Sequence, residues 1–155
     1  MAATPQPSAI DAAARRTLAE DLFNHTWTLL DTPNRTPEQD DEMLHAAHAS
    51  RYHWGEIGLA VNRSRGEWQC SRVYAVLGRA EPALWHARRC LAICEANGIA
   101  DWDIAAAYEA LARAYLVGGD LDAVATWKAK AYQALALVTD AEDREVIEAD
   151  LATLS

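Results

Sequence analysis

Histidines and acids at helical spacing are the residues in this chain best suited to chemistry. Asp41, His45, His48, Tyr52 and Glu56 recur at intervals of four, three, four and four residues, which on a helix sets them on one stripe. Asp21 and His25 add a second pair four residues apart. Facing helices that carry such side chains can build a metal centre inside a bundle, and a histidine with an orienting acid can act as a general base. His25, His45 and His48 are thus the candidates for a small metal-dependent or acid-base enzyme. The competing reading is a solvated amphipathic face on which Asp41 only supports the helix start. No HExxH, phosphate loop, nucleotide fingerprint or GxSxG motif accompanies the stripe. His86, Cys90 and Cys94 also share a stripe that could present soft metal ligands. Buried thiols behaving as small hydrophobes explain the same spacing.

A second group of residues suits recognition. Arg65, Trp68, Arg72, Glu109 and Arg113 combine planar guanidinium forks, which match carboxylates and phosphates, with an indole face for stacking. The blander reading pairs Arg72 with Glu67 and Arg113 with Glu109 along their own helices. Six tryptophans, at 27, 54, 68, 85, 102 and 127, are mostly expected as core and wedge residues, with Trp68 and Trp54 the best candidates for a ligand wall.

These residues need helices to position them. Alanine dominates and β-branched runs are scarce, so helix is favoured throughout. Residues 1–7, with Pro5 and Pro7, read as a loose tail. A first helix is expected from about Ser8 to Asp31. The segment DTPNRTPEQ then interrupts the chain, with Thr36 as cap, Pro37 in the first turn and Gln39 completing a capping box before a helix over 37–57. Residues 58–64 read as a loop and 65–78 as a third helix. A fourth runs from Glu81 to Ala96. The fifth is capped by Asp101 or Asp103 and ends at Gly118-Gly119; a sixth covers 120–138, and a seventh begins at Asp140.

At 155 residues the chain fits one domain. Apolar residues at 51% and charged residues at 24% place it among compact globular proteins and away from disordered ones. The formal charge of -9 falls as -5 over residues 1–58, +3 over 59–99 and -7 over 100–155, so no continuous basic face is available for nucleic acid. No stretch has the roughly 20 apolar residues of a membrane span. The start, MAATPQPSAI, lacks a cationic segment followed by an apolar run. With three cysteines and no CxxC, reduced thiols and a cytoplasmic location are expected, with no cofactor.

The segment RVYAVLG at 72–78 returns as RAYLVGG at 113–119, one 41-residue step later. Such a period marks a supersecondary unit that stacks on copies of itself. In the second unit Tyr108, Leu111-Ala112, Tyr115, Gly119-Asp120 and Ala131, and in the first Tyr74, Gly78 and Ala83-Leu84, with Trp68 one place late and Cys90-Leu91 in the place of Ala-Leu, form a pattern that resembles tetratricopeptide repeats. Val124, Ser71 and the long period depart from it. The resemblance covers residues 65–137. It implies an all-α, right-handed superhelix of antiparallel pairs, a tetratricopeptide-like α-solenoid of about seven helices. Residues 8–57 would form a diverged leading pair and 140–154 a capping helix. It also implies that the first helix of each pair lines a concave face, which would set Arg65, Trp68, Arg72, Glu109 and Arg113 there. The family's peptide-tail clamp of Lys and Asn is missing. The expected function is a non-enzymatic adaptor that binds a peptide, a partner protein or a second copy of itself in a groove of helices two, three and five. His48 and Tyr52 would take part through the second helix.

Overall fold

The computed structural model describes residues 10–155. Within them are seven helices and no strand: α1 Ala12–Leu30, α2 Pro37–Ile57, α3 Ala60–Val76, α4 Ala80–Ala96, α5 Trp102–Gly118, α6 Leu121–Leu135 and α7 Ala141–Ala152. None of these helices is long and apolar enough to cross a membrane. The expected tail at 1–7 lies outside the described residues.

Local chemistry sets most boundaries. Asp11 caps α1 by accepting from Ala14 N at 2.7 Å, so the helix begins later than the expected start near Ser8. At the other end Arg35 Nη1 donates to the carbonyls of Leu29, Leu30 and Thr32, each at 3.2 Å, while its Nε donates to Asp40 at 2.7 Å. One side chain thus satisfies the open carbonyls of α1 and ties them to the first turn of α2. Thr36 and Gln39 close their capping box, with Pro37 as the first helical residue.

Two expectations are corrected. Residues 60–64 are helical, not loop. The Leu59 N–H donates to Asn62 Oδ1 at 2.9 Å and Arg63 donates to the Gly58 carbonyl at 3.0 Å, so polar residues that read as a loop start the helix. Asp101 does stand at the N-cap position of α5, but its carboxylate makes no cap bond there; it accepts from the Thr139 N–H and hydroxyl, both at 3.1 Å, and holds the α6–α7 link. Asp103 is not the cap, since it faces Arg65.

Helix pairs pack against each other: α1 on α2, α3 on α4, α5 on α6. Among the described residues the further close backbone approaches each join a helix to its next or next-but-one neighbour. These are α2·α3, α4·α5 and α6·α7, together with the odd-numbered series α1·α3, α3·α5 and α5·α7. The backbones of the even-numbered helices stay apart, and α2 meets α4 through the rings of His48 and His86, as α3 meets α7 through Arg72 and Asp150. Helix α5 sits centrally because Ala105, Ala106, Ala107, Ala110, Ala112 and Ala114 are all buried, and small side chains allow short interaxial distances. The main apolar cluster joins Trp68, Leu111, Leu135, Ile147 and Leu151 across α3 to α7. A second one, with Leu29, Met43, Cys70 and Val73, closes α1 and α2 onto α3. On α2 the residues Met43, Ala46, Ala47, Ser50 and Trp54 are buried, opposite the polar stripe.

The two repeated segments share their backbone geometry. Gly78 and Gly119 have φ of 71° and 78°. Each terminates its helix with the same bond pair: Gly78 N to Ala75 O with Arg79 N to Tyr74 O, and Gly119 N to Leu116 O with Asp120 N to Tyr115 O. Both tyrosine hydroxyls reach a basic side chain on the preceding helix, Tyr74 to His48 at 2.9 Å and Tyr115 to Arg88 at 3.0 Å. A Cβ at either glycine meets nothing within 4 Å, so only the left-handed backbone would be penalised. Gly78→Ala and Gly119→Ala are therefore expected to cost about 1 kcal/mol each, and equally, in urea unfolding. A large difference between them would contradict the equivalence of the two turns.

Candidate functional site

An open cavity of about 470 Å³ runs along the odd-numbered helices. It is lined by Phe23 and Trp27 of α1, by Arg65, Trp68 and Arg72 of α3, by Trp102 of α5, and by Asp143, Val146 and Asp150 of α7. Its walls are aromatic. Trp27 and Trp68 have ring centroids 5.3 Å apart, Trp68 and Trp102 lie edge to face at 5.1 Å, and Phe23 meets Trp27 at 6.3 Å. Trp68 is buried, and its indole N–H has no partner in the protein. A smaller cavity of about 170 Å³ adjoins it. Phe23 and Arg65 line both, and Glu20, Asn24, Trp54 and Asn62 complete the smaller one.

The arginines of the cavity are held by acids. Arg65 donates through Nε and Nη2 to the two oxygens of Asp103, at 2.7 and 3.0 Å, and its guanidinium lies 5.4 Å from the Trp102 ring centre. Arg72 reaches Asp150 at 2.6 Å and Glu109 at 3.6 Å. Arg113 takes the other oxygen of Glu109 at 2.6 Å, then donates to the Asp150 carbonyl at 2.9 Å and the Thr153 hydroxyl at 2.8 Å. The repeated arginines thus do meet side by side, on one fully buried carboxylate. Burial pushes the Glu109 carboxyl up, while Arg72 and Arg113 pull it back.

Arg113 pairs with Glu109 as anticipated, but Arg72 does not pair with Glu67. Five residues turn a helix through about 140° from alignment, which points the two to different faces. Glu67 instead receives Arg51 Nε at 2.9 Å, His86 Nδ1 at 2.6 Å and Arg89 Nε at 3.4 Å. Burial raises this carboxyl, yet the His86 hydrogen bond and Arg51 outweigh it and hold it below the usual value. His86 stacks on Tyr74 at 5.5 Å and meets His48 at 5.2 Å.

The other expected site residues do not line the cavity. Helix α2 contributes only Trp54, to the smaller cavity, while α1 and α7 supply walls that the expected groove of helices two, three and five omitted. Glu109 and Arg113 stand behind Arg72. His48 packs toward Tyr74 and His86, and Tyr52 is exposed with its ring edge-on to His53. His25, His45 and His48 are not gathered: His25 Nε2 is 2.6 Å from Glu42, and His45 is exposed. Cys90 and Cys94 face Ser64, with Sγ atoms 3.4 and 3.0 Å from its hydroxyl, and not His86. No group of three or more His, Cys, Asp or Glu among the described residues is arranged to hold a metal ion. Trp27, Trp102, Asp143 and Asp150 were not singled out by spacing. Their best sequence signal is the count of tryptophans, one on each of three successive odd-numbered helices.

Arg113→Met should untie α7, so its amides are expected to exchange about tenfold faster or more, while those of α1 and α2 stay unchanged. Equal exchange in α7 would show that the apolar contacts of Ile147 and Leu151 hold it alone. Burial, and then His86, lower the affinity of His48 for a proton. Because the unfolded chain then binds more protons than the folded one, stability should fall as pH drops below about 6.5. Thermal unfolding between pH 7 and 5 should show that slope, flattened in His48→Gln.

No protein-family model matches this chain, and no curated protein or solved structure matches it either.

Proposed function

We propose that the chain is a non-enzymatic helical-repeat binding module that holds an extended peptide segment of a partner protein in the cavity of its odd-numbered helices. In this reading the helix pairs stack as a right-handed superhelix of the tetratricopeptide kind, whose concave side carries α1, α3, α5 and α7. Backbone packing that brings successive odd-numbered helices together and leaves the even-numbered ones farther apart supports such curvature. The observation that carries the function is the continuous aromatic wall Trp27–Trp68–Trp102, built from three helices and left open.

Shape and chemistry favour a peptide. The larger cavity falls within the roughly 300–1,000 Å³ of ligand sites. The smaller one continues it past Phe23 and Arg65 and brings the amide groups of Asn24 and Asn62, which suit a main chain. Aromatic side chains supply much contact area at little entropic cost and are the usual anchors of interfaces. The arginines take part mainly as struts, since Arg65 and Arg72 already spend donors on Asp103, Asp150 and Glu109. An acid-base function for Glu67, His86 and His48 is less supported, because neither cavity above is lined by these residues.

Selection of displayed random dodecapeptides on the purified protein tests this reading. Trp102→Ala should weaken the enriched peptides by about 2 kcal/mol, roughly thirtyfold. Trp85→Ala, on the exposed side of α4, should leave them unchanged. Peptides indifferent to Trp102, or lost with Trp85, would place recognition elsewhere.

A further inference from the structure

Building on the peptide-groove reading, we infer that the tryptophan cavity receives a cationic side chain, an arginine or lysine of the partner's segment, with Asp143 as its counter-charge. Four charged groups line the cavity. Arg65 is matched by Asp103, and Arg72 by Asp150 and Glu109. Asp143 alone among them makes no ion pair within 4 Å with a described residue; it stands in the field of Arg65, whose fork is already held by Asp103. The adjacent Arg144 turns away, for its Nη2 donates to the Val138 carbonyl at 2.8 Å. Arg65 thus faces two carboxylates, and the charge at the cavity without a close partner of its own is negative. It stands on a helix with five carboxylates and one arginine, in a chain of net charge -9.

The remaining wall is made of π faces, which attract cations through the ring quadrupole, most strongly for indole. The protein already displays this mode of contact at the cavity edge, where the Arg65 guanidinium lies over Trp102 while a carboxylate holds its fork. A second guanidinium or alkylammonium entering the cavity against the exposed ring surface of this aromatic wall would meet the same two kinds of group, an indole and a carboxylate, with Asp143 supplying the charge. An anionic ligand would find no such match, since it must compete with Asp103, Asp150 and Glu109 for arginine donors and approach an unneutralised Asp143. A neutral apolar side chain would fill the volume but leave that charge unanswered.

The test uses three acetylated and amidated pentapeptides, Gly-Gly-X-Gly-Gly with X as arginine, citrulline or glutamate, titrated against the full chain while the six indole N–H signals are followed by NMR. Citrulline keeps the shape of arginine and removes its charge. The arginine peptide should shift Trp27, Trp68 and Trp102 but not Trp85 or Trp127, and should bind roughly tenfold tighter than the citrulline peptide. Added salt should weaken it. Asp143→Asn, at an exposed position, should keep the thermal midpoint and lose roughly fivefold in affinity for the arginine peptide alone. Citrulline or glutamate binding as well as arginine, or an Asp143→Asn protein that binds arginine unchanged, would overturn the cation proposal while leaving the groove reading in place. Failure of all three peptides to move the three indoles would overturn the cation proposal, with the groove reading then decided by whether selected dodecapeptides depend on Trp102.

Discussion

Glu109, without exposed surface in the middle of α5, is the group around which the C-terminal half of the molecule is arranged. A buried carboxylate is costly unless charges and donors surround it. Its two cations are Arg72 and Arg113, the same position in successive repeats, and both extend beyond it to α7 through Asp150 and Thr153. Gathering two arginines around one carboxylate, whose Oε2 still lacks a hydrogen bond, therefore ties α3, α5 and α7 to one another. Because α7 carries Asp143, Val146 and Asp150, the acidic wall of the cavity depends on a carboxylate that does not touch it.

Glu67 does the corresponding work on the other side of α3, gathering Arg51 from α2 and His86 and Arg89 from α4. The close fit of α2 on α3 relies on Gly66 as well, where a Cβ would come within 2.6 Å of Arg51 Cδ. A slip of one helical turn at either carboxylate would strand a charge among apolar side chains. Since much of the core is alanine, which packs in several registers with little difference in area, these polar knots supply discrimination that the apolar contacts lack.

Features encoded within a few residues were legible in the sequence. The capping box at Thr36, the caps of Asp120 and Asp140 and the left-handed glycines at 78 and 119 all stand where turn chemistry puts them. Misread features depended on partners far along the chain. Asp101 holds the cap position of α5 but spends its carboxylate on Thr139, and residues 60–64 look like a loop until Ser64 is seen buried against the α4 thiols. For the cavity, Arg65, Trp68 and Arg72 were legible because they share one helix and the repeat draws attention to it. Trp27 and Asp150 were not, because nothing within their own helices distinguishes a groove-facing residue from an ordinary buried or solvated one.

Backbone packing mainly between neighbouring helices also bears on how the molecule comes into being. Each helix packs chiefly on those synthesised just before it, so most of the fold can grow as the polypeptide leaves the ribosome, while the Arg72–Asp150 bridge waits for α7. The tryptophans of α1, α3 and α5 are then in place while the remaining side of the hollow is still unmade. Only when the dozen residues of α7 dock does the acidic edge arrive, so the hollow closes later than the aromatic wall it borders.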